Sequence, residues 1–168
     1  RIAEGLIYRD FITVGLLLTK ITINGGSTGQ KLSDIMPSDW IYVQEPHVKV
    51  GRLQFFNNWS PFMVSDEDKI WIGLEYFCNE GDELWKLSDS ALTELAADEL
   101  EAIGIAEPSD VLTSIVVRMP KTYPAYTGTY DRFNQLRHFT DEFKNLFLIG
   151  RNGMHRYNNQ DHSMLTAM

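Results

Sequence analysis

Between Trp40 and Cys78 the chain reads WIYVQEPHVKVGRLQFFNNWSPFMVSDEDKIWIGLEYFC. Three runs in it, Trp40–Glu45, Val50–Phe56 and Ile70–Cys78, are rich in β-branched and aromatic residues, which suit a pleated, half-buried surface. Pro46, the polar NNWSP and the acidic SDEDK interrupt them, as turns do. Connections this short join antiparallel neighbours, because a parallel pair needs a crossover of a dozen or more residues. The stretch therefore predicts an antiparallel meander. Upstream, FITVGLLLTKITI (Phe11–Ile23) is a longer β-rich run that ends at the turn-forming NGGSTG, and KLSDIMPSD, with Pro37, is a polar connector.

Downstream, SDSALTELAADELEAIGI sets Leu92, Leu95, Ala96, Leu100 and Ile103 at helical spacing, with Ser88 or Ser90 as N-cap and Gly104 just past the end. VLTSIVVRM (Val111–Met119) predicts a strand, TYDRFNQLRHFTDEF (Thr129–Phe143) a second helix, and NLFLIG (Asn145–Gly150) a final buried strand. The class is α+β, a mixed, mostly antiparallel sheet with flanking helices. Arg1 opens in mid-pattern, and Met164, Leu165 and Met168 repeat at helical spacing without a stop signal. The expectation is a fragment of a longer protein.

With 168 residues the chain can bury a core. A net charge of −8 offers no basic footprint for nucleic acid or anionic lipid. Cys78 is the only cysteine, which excludes an internal disulfide and suggests a small buried residue in a reducing, cytoplasmic setting. No apolar run approaches the roughly 20 residues of a membrane span. Glycine-rich phosphate fingerprints and H-E-x-x-H are absent, and His47, His138, His155 and His162 are scattered, so no metal site is expected.

Candidate binding residues concentrate in GRNGMHRYNNQDHS. Gly150 and Gly153 allow sharp turns and close backbone approach, and the helix that follows begins with unsatisfied N–H groups suited to an anion. Arg151, Asn152, Arg156, Tyr157, Asn159, Gln160, Asp161 and His162 crowd that approach. A surface turn capped by Asp161 or Asn159 is the plainer alternative. Elsewhere, Arg52 alternates with apolar Leu53 and Phe55, and either binds an anionic substrate or faces solvent from a half-buried sheet. Asn57, Asn58 and Trp59 either form a platform for a sugar or planar ligand or make a turn with an anchoring tryptophan. Arg118, Tyr123 and Tyr126, in RMPKTYPAYTGTY, either line a cavity or belong to a crossover. Glu75 and the EGDE of Glu80–Glu83 read as solvated charge.

The segment NLFLIGRNGMHRYNNQDHSMLTAM resembles the last flavin-contacting motif of FAD-dependent oxidoreductases of the amine oxidase and protoporphyrinogen oxidase superfamily, most closely that of the UDP-galactopyranose mutases. Gly150, Arg151, Gly153, Arg156, Tyr157 and then Asn159, Gln160, Asp161 and His162 carry the match. VGRLQFFNNWSP, WIGLEYFCNEGDELWKLSD and RMPKTYPAYTGTY resemble segments of the superfamily's substrate domain. The resemblance implies a substrate-domain-like region over 1–140 and a strand-loop-helix over 141–168 that belongs to the FAD-binding half. It implies that Gly150, Arg151, Asn152, Gly153, Arg156, Tyr157, Asn159, Gln160, Asp161 and His162 contact FAD and that Arg52, Asn58, Trp59, Arg118, Tyr123 and Tyr126 face the substrate; the catalytic group is not assigned. It further implies a missing N-terminal Rossmann half, without which this chain retains no FAD and is inactive. An oxidoreductase acting on a small molecule is the first expectation, a mutase acting on a nucleotide sugar the second, and a non-catalytic binding or assembly module the third.

Overall fold

The structure is a computed structural model that describes residues 1–23, 26–27 and 36–168. Seven strands occur among the described residues: β1 (Leu6–Leu18), β2 (Thr22–Ile23), β3 (Gly26–Ser27), β4 (Trp40–Tyr42), β5 (Arg52–Phe55), β6 (Ile70–Cys78) and β7 (Val111–Gly128). Five of them form one antiparallel sheet in the order β4-β5-β6-β1-β7, and β2 pairs with β3. The helices are α1 (Phe56–Trp59), α2 (Asp89–Ala102), α3 (Phe133–Asp141), α4 (Gly150–Gly153) and α5 (Gln160–Ala167). The α+β architecture and the meander follow the sequence pattern. Of NGGSTG only Gly26 and Ser27 are described, opposite Ile23 and Thr22, and most of the KLSDIMPSD connector lies outside the described residues. None of the described helices is long and apolar enough to cross a membrane.

Two compact units divide the chain, Phe11–Arg118 in one and Arg1–Asp10 with Met119–Met168 in the other. In the Phe11–Arg118 unit, alternation decides which face is buried. Ile12, Val14, Leu16 and Leu18 of β1 lie on the core side, as do Ile72, Leu74, Tyr76 and Cys78 of β6. Leu53 and Phe55 of β5 complete that face, and Leu92, Ala96 and Leu100 of α2 join the same core. The cap of α2 is Ser88, whose hydroxyl accepts the Ala91 N–H, and Gly104 at φ +74° follows the last turn.

Among the buried carboxylates of the described residues, that of Glu99 lies on the core side of the helix α2. Glu99, on the buried side of α2, accepts hydrogen bonds from the backbone N–H groups of Lys49 and Val50 and from the Tyr76 hydroxyl, the last two at 3.0 Å. Burial first, and then the charge and hydrogen bond of Glu99, raise the Tyr76 pKa far above the ordinary tyrosine range. A folded-state pKa raised above the unfolded value leaves stability intact below about pH 10 and erodes it above, by about 1.4 kcal/mol per pH unit for one proton. Urea midpoints measured from about pH 9 to pH 11.5 should fall more steeply in the wild type than in Tyr76→Phe. Parallel profiles would remove Tyr76 from the alkaline transition.

Two expectations are corrected. Asn145–Ile149 is not a buried strand: it has no ladder partner, and Leu146, Phe147 and Ile149 are exposed. A strand exists only through hydrogen bonds to a neighbour, and an apolar run alone cannot supply one. Conversely, the strand predicted to end at Met119 runs on to Gly128 through Pro120 and Pro124. It lies at the sheet edge, where a missing N–H is tolerated.

Candidate functional site

In the unit of Arg1–Asp10 and Met119–Met168, the outer part of β7 carries the loop that follows α3. Lys121 sits at φ +55°, where its N–H reaches Asp10 Oδ1 at 2.7 Å. Its carbonyl accepts Asn152 Nδ2 at 3.0 Å. Four residues on, the Ala125 carbonyl meets His155 Nε2 at 3.1 Å, and the Tyr126 hydroxyl accepts the Tyr157 N–H at 2.8 Å. Three successive points of β7 thus fix the loop from Asn152 to Tyr157. Gly150 opens α4 at φ +69°, a conformation that favours glycine. Gly153 has no such requirement, and a Cβ there would sit 3.5 Å from the nearest atom.

This arrangement brings two groups of predicted residues together. The Arg151 guanidinium lies 5.2 Å from the ring centroids of both Tyr123 and Tyr157, which stack at 6.0 Å and 22°. Such cation–π geometry holds a cation while leaving its N–H donors in reach of an acceptor. Arg156, Asn159, Gln160, Asp161 and His162 are exposed. Asn159 is the N-cap of α5 without a side-chain capping bond, and Asp161 lies 3.0 Å from His162 Nδ1. Ser163 instead bonds Asn158 Oδ1 at 2.8 Å, and Asn158 returns to the Arg156 carbonyl. The capping alternative therefore describes the backbone of this turn and not the side chains of Asn159 and Asp161.

The remaining predicted residues lie in the Phe11–Arg118 unit. Arg52 pairs with Glu75, which also accepts from Gln54 Nε2. Glu75 is not solvated charge: its side chain is only 3 % exposed. It occupies a strand centre opposite Arg52, where the pair satisfies both charges. Asn58 donates to the Met36 and Ser38 carbonyls, Asn57 bridges Lys69 and Trp71, and Trp59 is half exposed. The Arg118 guanidinium reaches the Trp85 and Leu87 carbonyls and Asp89, the last at 2.6 Å. It ties the approach to α2 to β7.

No protein-family model matches the chain, and no curated protein matches it. Solved structures do. A crystal structure of reduced UDP-galactopyranose mutase superposes with a TM-score of 0.74 at 23% identity, covering 98% of this chain and 33% of that one. The chain has this mutase's fold over nearly its whole length. A putative protoporphyrinogen oxidase from Exiguobacterium sp. 255-15 superposes with a TM-score of 0.62 at 16% identity, covering 88% of this chain and 31% of that one. The chain spans about a third of the length of these structures.

Within this mutase-like fold, three roles escaped the sequence reading. Glu75 and Glu99 look like ordinary charges by type, although Glu75 falls opposite a strand arginine and Glu99 lies on the apolar stripe of α2. That misplaced periodicity was the available signal. His155 carried no local signal: its ring is buried edge-on to Tyr8 at 4.7 Å and beside Tyr130 and Phe133. Among the described residues no group of three or more His, Cys, Asp or Glu is placed to hold a metal ion.

Proposed function

We propose that this chain forms the substrate-cavity roof and the final FAD-contacting part of an FAD-dependent oxidoreductase, completed by a Rossmann half elsewhere in the same protein. The observation that carries the reading is the loop of Gly150–Tyr157 fastened to β7 with Arg151 over Tyr123 and Tyr157. Its donor set fits the phosphates of FAD: Arg151 and Arg156 are cationic, and the first N–H groups of α5 lack a side-chain cap at Asn159. Gln160, Asp161 and His162, exposed in the first turn, suit the polar edge of such a cofactor. Asn152 holds the loop through Lys121, and Gly150 permits its entry angle. The residues of this loop would hold FAD, which would supply hydride acceptance there, while the protein would supply orientation and exclusion of water. Tyr123 and Tyr126 meet the loop from β7 and form its substrate-facing side. The single buried Cys78 suits a reducing, cytoplasmic compartment.

Expression of this chain with its upstream sequence should give a yellow protein with flavin absorbance, and Arg151→Ala should weaken FAD retention at least about tenfold, the scale of one lost charge-assisted contact. The 168-residue chain alone should be colourless. A longer protein without flavin would leave the binding-module reading. Oxygen-coupled turnover of amines or porphyrinogens supports the oxidoreductase, whereas ring isomerisation of a nucleotide sugar by reduced protein would move the reading to a mutase.

A further inference from the structure

The second face of the sheet in the Phe11–Arg118 unit presents an aromatic wall around one ion pair. Tyr42, Arg52 and Glu75 lie directly opposite one another across β4, β5 and β6, and Trp40 faces Gln54 one row away. The core side of the same strands carries Leu53 and Leu74, so the row of Arg52 points to the other face. The Arg52 guanidinium lies 5.1 Å from the Trp40 ring, 5.8 Å from Tyr42 and 5.9 Å from Phe77. A Cβ on Gly51 would come within 2.7 Å of the Phe77 ring, so the glycine lets that ring lie against the backbone. Trp40, Tyr42 and Phe77 nevertheless remain 41 %, 62 % and 38 % exposed. Three adjacent exposed rings on one sheet face are an unusual apolar concentration for a surface.

We propose that Glu75 sets the ligand class of this wall: it cancels the charge of Arg52, so the wall takes a flat, uncharged aromatic ring and refuses anionic diphosphates. The proposal deepens the oxidoreductase reading, on which the substrate-facing role of Arg52 rests. An arginine on an open sheet face is a ready partner for phosphate oxygens. Here the Glu75 carboxylate takes that place, and the Gln54 amide also bonds it. An anion would have to displace a buried carboxylate from its partner, in a chain that already carries a net charge of −8. The exposed ring surfaces have no such barrier, and they prefer another planar ring in offset or edge contact.

Calorimetric titration of the 168-residue chain with caffeine, an uncharged planar heterocycle, and with inorganic pyrophosphate tests this without any flavin. Caffeine should bind the wild type, and Trp40→Ala should weaken it at least about fivefold, the scale of one lost aromatic contact. Glu75→Gln should leave caffeine binding within about twofold and strengthen pyrophosphate binding at least about tenfold, as expected when a guanidinium regains a charged acceptor. Pyrophosphate binding to wild type as tightly as to Glu75→Gln, or caffeine binding indifferent to Trp40→Ala, would overturn the proposal. Should Glu75→Gln not fold, the double variant Arg52→Met/Glu75→Leu keeps the wall uncharged; it should retain caffeine and show no pyrophosphate binding, and loss of caffeine would overturn the proposal. Flavin absorbance of the longer protein fails or succeeds independently of these titrations.

Discussion

Glu99→Ala is expected to destabilise the Phe11–Arg118 unit by about 3–5 kcal/mol, among the largest losses available to one side chain in this protein. Both carboxylate oxygens are engaged, one by the Lys49 N–H and the other by the Val50 N–H and the Tyr76 hydroxyl. Truncation leaves these donors without an acceptor, those of Val50 and Tyr76 in a region closed to water. Each stranded donor costs about 1–3 kcal/mol, more than the net gain of an ordinary hydrogen bond. Domains of this size hold only about 5–15 kcal/mol in total, so the loss should show as a large fall in the urea midpoint. Glu99→Gln keeps one acceptor oxygen but turns an N–H₂ towards a donor, and should fall between alanine and wild type. Combining Tyr76→Phe with Glu99→Ala removes one of the stranded donors and should cost less than the sum of the two single changes. A Glu99→Ala loss below about 1 kcal/mol would mean that water replaces the carboxylate and that the clamp contributes little.

The same residue shows what periodicity can and cannot deliver. The strand Ile70–Cys78 and the helix between Ser88 and Gly104 are local patterns with local boundary signals, and both lie where those signals put them. Glu99 falls on the helix face that the apolar residues define, but residue type alone says nothing about the two N–H groups fifty positions upstream that bury it. Asn145–Ile149 fails in the opposite way: its apolar residues look like a strand, and strand formation depends on a partner that no local pattern encodes. Glu75 needed the register, since only pairing with Arg52 across β5 and β6 explains a buried charge on a strand. In the candidate site, the density of polar residues after Gly150 was plain from the sequence. The pairing of Arg151 with Tyr123, some thirty positions away, was not, because it depends on β7 continuing past Pro120.

His155 gives the second large effect, and the sign of two substitutions there separates its packing from its hydrogen bonding. Its ring is 1 % exposed, edge-on to Tyr8 and beside Tyr130 and Phe133, and it holds the loop of Arg151 and Tyr157 to β7 through the Ala125 carbonyl. With Nε2 on a carbonyl, the donor tautomer places the proton there and leaves Nδ1 an acceptor; Nδ1 is buried and has no hydrogen-bond partner. His155→Ala removes the ring and leaves a cavity among aromatics, for a loss of about 2–4 kcal/mol. His155→Phe restores ring volume, strands the Ala125 carbonyl and at the same time abolishes the unpaired Nδ1, so its two polar consequences oppose each other and the net change should stay within about 1 kcal/mol. Both variants keep the same strained backbone at φ +44°, which therefore cancels in the comparison. Thermal unfolding measures the two losses, and amide exchange at Asn152–Tyr157 reports whether the loop is released. Phenylalanine costing as much as alanine would show that the Ala125 hydrogen bond, and not ring packing, anchors the loop; alanine costing under about 1 kcal/mol would show that the loop is held by Asn152 and Tyr157 without it.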